Sequence, residues 1–512
     1  MKQRKIILNS IKKIILLVSV ALFAVIAGVG IHVDNSRLLD VEKISQSQLD
    51  GIVSGRTKEH LPVSITFKGQ TLQYCRNTDS YYITQSVNNS RWQGGLIVSS
   101  GYKCRILDTG LDKEEIIATN TPLKLFVYND SHYDIKNITV SGMPVLSIVY
   151  SHREDTDDYG QITVFEPDAA GRTDVLDAKT YFCRWHTRGA TSLQNPKKSY
   201  KLNLLNSSGD SKKVSLMNMR EDNDWVLNAM YTDNTKIREK LCLDMWNNLS
   251  GEYGHGLEYC ELIIDGNYLG LYALQEPADN KTFGQSKSSA IMMYIKGWAE
   301  DRTETMLYEE NALDALREDM GVNGELTLDM CKNENFDDAL EIFRWIKNPD
   351  YVSPYLTLAF DRENLLQHTL LCNLSMADDN LYKNQKICAV KEAAGSYRLY
   401  KTPWDMDITF HNENIEWFAM DINRTRYDSF YTKTQRNEQE LKEMYLQARK
   451  DFYNEKYLFA LIDSISADFE STGAFSREAA VWGTPALNES CDYLKNVISG
   501  RIKALDSYYG GV

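Results

Sequence analysis

The nine cysteines of this 512-residue chain, Cys75, Cys104, Cys183, Cys242, Cys260, Cys331, Cys372, Cys388 and Cys491, include no Cys-x-x-Cys pair. That removes the usual spacing of a zinc site. Positive charge is scarce too: 57 Lys and Arg stand against 71 Asp and Glu. The net charge of −14 argues against a nucleic-acid binder, which carries a basic footprint, and is compatible with a basic protein partner. Proline is sparse. With 43% hydrophobic and 25% charged residues the chain has the composition of a globular protein, and its length suggests two or three domains. Thirty tyrosines suit β-structure and extracellular surroundings.

An odd number of cysteines leaves at least one thiol without an intramolecular partner. Cys75 and Cys104, both in the first β-rich region, are the pair nominated for a disulfide, whereas Cys242, Cys372 and Cys388 lie in apolar runs and read as small hydrophobes. One long stretch, Ile14 to Ile31, carries no charge and follows Lys2, Arg4, Lys5, Lys12 and Lys13. Roughly 18 residues is the lower end of what spans a bilayer. The pattern is that of an uncleaved transmembrane anchor, the favoured reading, or of a secretory signal, and either way the basic flank puts everything after His32 on the far side of the membrane.

The chemistry concentrates late in the chain. Met376-Ala377-Asp378-Asp379-Asn380-Leu381-Tyr382-Lys383-Asn384 precedes two runs that read as strands, Gln385 to Val390 and Tyr397 to Lys401. Then comes Lys401-Thr402-Pro403-Trp404-Asp405-Met406-Asp407. A hairpin returns the chain to its start, so the two acidic loops are expected side by side. Phosphoryl transfer needs an Asp to orient the attacking hydroxyl, an Asn five residues on to bind metal, and a later Asp to hold Mg²⁺. Asp379, Asn384 and Asp405 have that order, although no His-Arg precedes Asp379 and no Phe-Gly follows Asp405. Spacing to Asn384 favours Asp379 over its neighbour Asp378.

Upstream, the polar residues 34–60 read as a stalk, and 61–140 as a small antiparallel β-sandwich with runs such as Val63–Phe67, Gly95–Val98 and Leu123–Val127. Further strands are expected at Met143–Val149 and Gly160–Phe165. Arg188-Gly189-Ala190-Thr191-Ser192 is a small-residue loop of the kind that cradles phosphates through backbone N–H groups. In the strand after it, alternation puts Tyr200, Leu202 and Leu204 on one face and Ser199, Lys201 and Asn203 on the other. Ile237, Leu241, Met245 and Leu249 recur at helical spacing within 235–249, and Tyr259 to Glu276 is a hairpin about Asp265-Gly266. A helix over 360–373, with Leu365, Leu366, Thr369 and Leu370 on its buried side, delivers the chain to the first acidic loop. The acids between Lys281 and Asn348 read as a solvated helical face. The part from Arg436 to Tyr509 is expected to be mostly helical.

Several of these stretches, in order, resemble one family. Arg188-Gly189 with Pro196-Lys-Lys-Ser-Tyr-Lys-Leu202, Asp224-Trp-Val-Leu-Asn-Ala229, Ile237-Arg-Glu-Lys-Leu241, Glu261-Leu-Ile-Ile-Asp-Gly-Asn-Tyr-Leu-Gly-Leu-Tyr272, Pro403-Trp-Asp-Met-Asp-Ile-Thr-Phe410 and Ser499-Gly-Arg-Ile-Lys-Ala-Leu-Asp-Ser-Tyr508 look like the CotH family of atypical, spore-coat-type protein kinases. The likeness runs from about Met143 to Tyr509. It implies an α+β chain with a divergent protein-kinase-like two-lobed fold, using ATP and Mg²⁺ or Mn²⁺ to phosphorylate Ser-rich proteins. Carried over by position, Asp379 is the catalytic residue, and Asn384, Asp405 and Asp407 hold metal. Lys201, with Lys198 as its rival, and Arg188, Gly189 and Ser192 meet the nucleotide.

The domains expected are 1–33 flank and anchor, 34–60 stalk, 61–140 β-rich accessory domain, 141–280 kinase-like N-lobe and 281–512 helical C-lobe. Departures from the family pattern are Ala190-Thr191 in place of Asn-Ser, Lys383 before Asn384 in place of His, and Gln385-Lys386 where aromatics are common. They bear on nucleotide affinity and substrate choice. An adhesin on the same fold, which the leading β-domain suits, and a metal-dependent phosphoesterase using Asp379, Asp405 and Asp407 without ATP are the other readings.

Overall fold

Strand-forming runs dominate the first half of the chain and helices the last quarter, and the mixed α+β class follows. A computed structural model describes residues 36–87, 92, 94–166, 178–189, 191–286, 289–295, 326–330, 335–347, 351–377, 379–382, 384–412, 414 and 438–510. The apolar run Ile14–Ile31, residues Ala190, Asp378 and Lys383, and most of the acid-rich 281–348 segment lie outside them. No helix among the described residues is long and apolar enough to cross a membrane.

The first sheet runs Arg37–Leu38, Val41–Ile44, Lys103–Leu107, Leu123–Tyr128, His132–Ser141, Ser80–Thr84, Tyr74–Cys75, with Thr57–Lys58 paired to His132–Ser141. The segment 34–60, expected as a stalk, thus contributes strands, because Leu38, Leu39, Val41 and Ile44 bury themselves in it. Parallel pairs at Val41–Ile44/Lys103–Leu107 and His132–Ser141/Ser80–Thr84 make the sheet mixed, where an antiparallel sandwich was expected. A three-stranded sheet, Gln70–Thr71, Ile65–Phe67 and Ile97–Val98, shares its apolar core. The disulfide expected between Cys75 and Cys104 is absent and both thiols are free. Three strands separate theirs in the sheet, and neighbours about 4.8 Å apart put the two sulfurs far beyond bonding reach.

Seven strands then close a barrel: β1 (Val145–Glu154), β2 (Asp157–Phe165), β3 (Lys179–Arg188), β4 (Ser199–Leu205), β5 (Asp224–Asn228), β6 (Leu257–Ile264) and β7 (Asn267–Gln275), in the order β1-β2-β3-β4-β5-β7-β6. The seam is a parallel pairing of β1 with β6, Val145 opposite Glu261 and Ile148 opposite Ile264. Ile148, Ile162, Trp185, Leu202, Trp225 and Leu274 fill the interior. Their strand neighbours Arg184, His186, Lys201 and Val226 therefore face outward.

After the helix α1 (Arg238–Ser250), inserted between β5 and β6, comes a five-stranded sheet of β8 (Ala290–Ile295), β9 (Leu326–Met330), β10 (Thr357–Phe360), β11 (Gln385–Ala393) and β12 (Ser396–Thr402), ordered β9-β8-β11-β12-β10. Helix α2 (Phe336–Lys347) packs on one face of it. Helix α3 (Arg362–Ser375) starts on the Asp361 side chain, which accepts from Asn364 N at 3.0 Å, and every residue from Asn364 to Ser375 is buried. It is the central strut, which is why its periodicity alone understated its burial. Around it pack α1, α4 (Glu438–Asp451), α5 (Glu455–Ser471), α6 (Ala474–Trp482) and α7 (Leu487–Tyr509), in one apolar core.

Helix α6 ties the parts together. Arg477 bonds Glu261 of the barrel seam at 2.7 and 3.0 Å and Ser141 of the first sheet at 3.0 Å. Its neighbour Glu478 accepts from Lys197 Nζ at 2.8 and 2.9 Å and from Leu271 N at 2.8 Å, all fully buried.

Candidate active site

The hairpin β11–β12 does bring the two acidic loops together, and Asn380 Nδ2 donates to Trp404 O across them at 2.8 Å. Asp379 is 1% exposed, and its Oδ2 accepts from Asn384 Nδ2 at 2.7 Å. The Tyr294 hydroxyl of β8 reaches Asn384 Oδ1 at 3.2 Å. Non-glycine residues with left-handed backbone bound the loops: Met376 (φ 56°), Asn384 (51°), Asp405 (60°), Phe410 (49°) and His411 (48°). Such conformations cost about 1–3 kcal/mol each and gather where a site dictates side-chain aim.

Asp405 and Asp407 project from the second loop, and Thr232 Oγ1 holds Asp407 Oδ2 at 2.8 Å. Burial, then the charge of Asp405, push the Asp407 carboxyl up to about 7, with Asp233 and Asp379 adding to the repulsion. A residue not singled out above joins them. Glu239, in the first turn of α1, is 3% exposed and accepts from Met406 N at 2.5 Å. Burial and the charges of Asp405 and Asp407 push it up to about 8. Its signal in the sequence was position alone: an acid between Arg238 and Lys240 in the first turn of the helix. Arg238 itself anchors the arrangement, bonding Asp233 at 2.5 Å and Thr409 O at 3.0 Å.

The outer face of the barrel forms the opposite wall. Lys201 lies on it, as alternation predicts, 3.3 Å from Asp224, whose carboxyl is raised by burial. Beside Lys201 in register is Val226, which packs with Ala278, Trp404 and Tyr294. The barrel wall, the five-stranded sheet and the second acidic loop thus meet at the Trp404 indole. Arg188 Cζ is 5.5 Å from its centroid. Lys198, the rival of Lys201, turns away to bond Leu193 O and Asn195 O at 2.6 Å, pinning the loop after Arg188. Gly189 has φ +123°, and a Cβ there would sit 2.0 Å from Ser192 Oγ, so the loop folds tightly on itself.

Among the described residues, no group of three Asp, Glu, His or Cys side chains closes into a metal site. Magnesium nevertheless fits the donors present. It keeps several waters and takes one or two carboxylates together with substrate phosphates, and here the charge of Asp405 lies close enough to raise the proton affinity of both Asp407 and Glu239. A cation would relieve that repulsion.

Clustered carboxylates beside an Asp–Asn pair, facing a wall that carries Lys and Arg, are the parts of a phosphotransferase-type site. The family model for CotH kinase protein matches residues 185–505, well over half of the chain, and the chain belongs to that family. A comparison with curated proteins finds no match.

Proposed function

We propose that this protein transfers the γ-phosphoryl group of ATP to hydroxyl groups of Ser or Thr in a Ser-rich surface or spore-coat-type protein. In this reading the barrel is the small lobe of a divergent kinase-like fold, and the five-stranded sheet with α1–α7 is the large lobe. Residues 14–31 anchor it with the catalytic region outside the cytoplasm.

The observation that carries the reading is the hydrogen-bonded Asp379–Asn384 pair beside the mutually repelling Asp405 and Asp407. Asp379 accepts the proton of the attacking hydroxyl while Asn384 Nδ2 fixes its carboxylate plane. Asp405, Asp407 and the Asn384 amide oxygen would hold Mg²⁺, with Thr232 setting the Asp407 rotamer. Such an ion would supply positive charge for the transferred phosphoryl oxygens. Lys201 and Arg188 hold the phosphates from the barrel side, with the tight turn at Gly189 and Ser192 presenting backbone donors.

Titrating Mg-ATP against purified variants tests these roles. Asp405→Asn should lose divalent-dependent nucleotide binding and transfer together. Asp379→Asn should bind Mg-ATP and transfer nothing. The opposite pattern reverses the assignments. An absence of nucleotide binding in the wild type points to the adhesin reading, and metal-dependent ester hydrolysis without ATP to the phosphoesterase. For the anchor, protease added to intact cells should degrade the large domain, and full protection in cells shown to be accessible would refute it.

A further inference from the structure

Both signs of charge gather at this cleft. The acids are Asp379, Asp405, Asp407 and Glu239, with Asp405 acting on both Asp407 and Glu239. Cations stand against the Trp404 indole. Arg188 stacks at 5.5 Å from the indole centroid, and Lys386 Nζ, contributed by β11, stands 5.4 Å from it and 4.2 Å from the Tyr294 ring. Lys386 is 8% exposed. His255, whose ring is 5.3 Å from Trp404, is pushed down to about 3 by burial and then by the charges of Arg220 and Lys386. Cations thus gather at the indole, in a chain of net charge −14.

Buried polar atoms here also lack partners. Trp404 Nε1 and both ring nitrogens of His255 are buried and make no hydrogen bond among the described residues. Buried polar atoms are nearly always paired, so exceptions beside a candidate site point to an acceptor supplied by a ligand. Clustered carboxylates, cations at the indole and the unpartnered Trp404 and His255 atoms together match a metal-bound polyphosphate: metal toward the acids, phosphoryl oxygens toward the cations.

We propose that Lys386 is a phosphate-binding residue, gripping the polyphosphate from the five-stranded sheet while Lys201 and Arg188 grip it from the barrel. The inference rests on the phosphoryl-transfer reading and deepens it. Its position supports it. Lys386 lies between Tyr294 of β8 and Thr402 of β12 in register, two residues from Asn384 and at the end of the hairpin that carries both acidic loops. Aromatic faces replace part of the hydration lost by a buried ammonium, and phosphoryl oxygens supply charge-assisted hydrogen bonds in addition.

Calorimetric titration of Mg-ATP and of adenosine into wild type and Lys386→Met tests it. Methionine keeps the apolar stem and removes the charge, and Lys386→Gln serves as a second variant should Met disturb folding. The expected result is Mg-ATP binding weakened at least about tenfold with adenosine binding unchanged, the loss of a charged hydrogen bond. Equal weakening of both ligands would make Lys386 a brace for Trp404 and overturn the proposal, as would unchanged Mg-ATP affinity. A wild type that binds no Mg-ATP refutes the phosphoryl-transfer reading instead. Mg-tripolyphosphate then decides on Lys386 alone: binding lost in the variant upholds the site, and equal or absent binding in both overturns it.

Discussion

Glu239 and Asp407 show how far a local field moves a carboxyl. Glu239 ordinarily releases its proton near 4.5 and here does so near about 8, chiefly through burial and then through Asp405 and Asp407. Between those values the folded chain keeps a proton that the unfolded chain has lost. Linkage then requires the stability contributed at this position to fall as pH rises through that window. Glu239→Gln, which stays neutral and can still accept from Met406 N, should unfold at the wild-type temperature near about pH 4 and a few degrees above it near about pH 9. Thermal scans at both values check this, and a gap independent of pH would contradict it. Neither the burial nor the crowding of Glu239 was legible beforehand. Asp405 and Asp407 lie more than 160 residues downstream, and nothing in the local pattern around Arg238 encodes that approach.

Among elements, the hairpins were the most legible because turn chemistry is local. Asp265-Gly266 and the Gly395 turn join β6–β7 and β11–β12 where their residue types predict, and Asp265 (φ 49°), Gly266 (67°) and Gly395 (70°) take the left-handed backbone those turns need. The outward aim of Lys201 followed from the alternation within β4. Helix α6 was legible only as helix. Its function as a tie depends on buried ion pairs with residues more than 200 positions away. Glu478 is the keystone of one such pair, since Lys197 is fully buried and its ammonium already falls to about 8 through burial, Glu478 opposing the drop. Glu478→Ala leaves that charge uncompensated and should cost about 3–5 kcal/mol in urea unfolding. Pairing it with Lys197→Met should recover much of the loss, and a double variant no better than the single would show that the charge is not the cause.

For the whole molecule, the barrel and the first sheet are joined through Arg477, Glu261 and Ser141, so they should unfold in one transition. A chain ending at residue 472 lacks Arg477 and Glu478, and calorimetry should show its cooperative transition lost or split. An intact single transition would mean the tie is dispensable. The closed barrel was not legible because its seam pairs segments over 100 residues apart in parallel, with no turn between them to announce it. That seam also imposes an order of assembly. While the chain emerges residue by residue, Val145–Ile148 waits for Glu261–Ile264, and Glu261 in turn waits for a helix about 200 residues later still. Until β6 is made, the edge of β1 is open to pairing with other chains. A nascent copy thus exposes that edge while more than 100 further residues are made, and the last tenth of the polypeptide locks the seam that covers it.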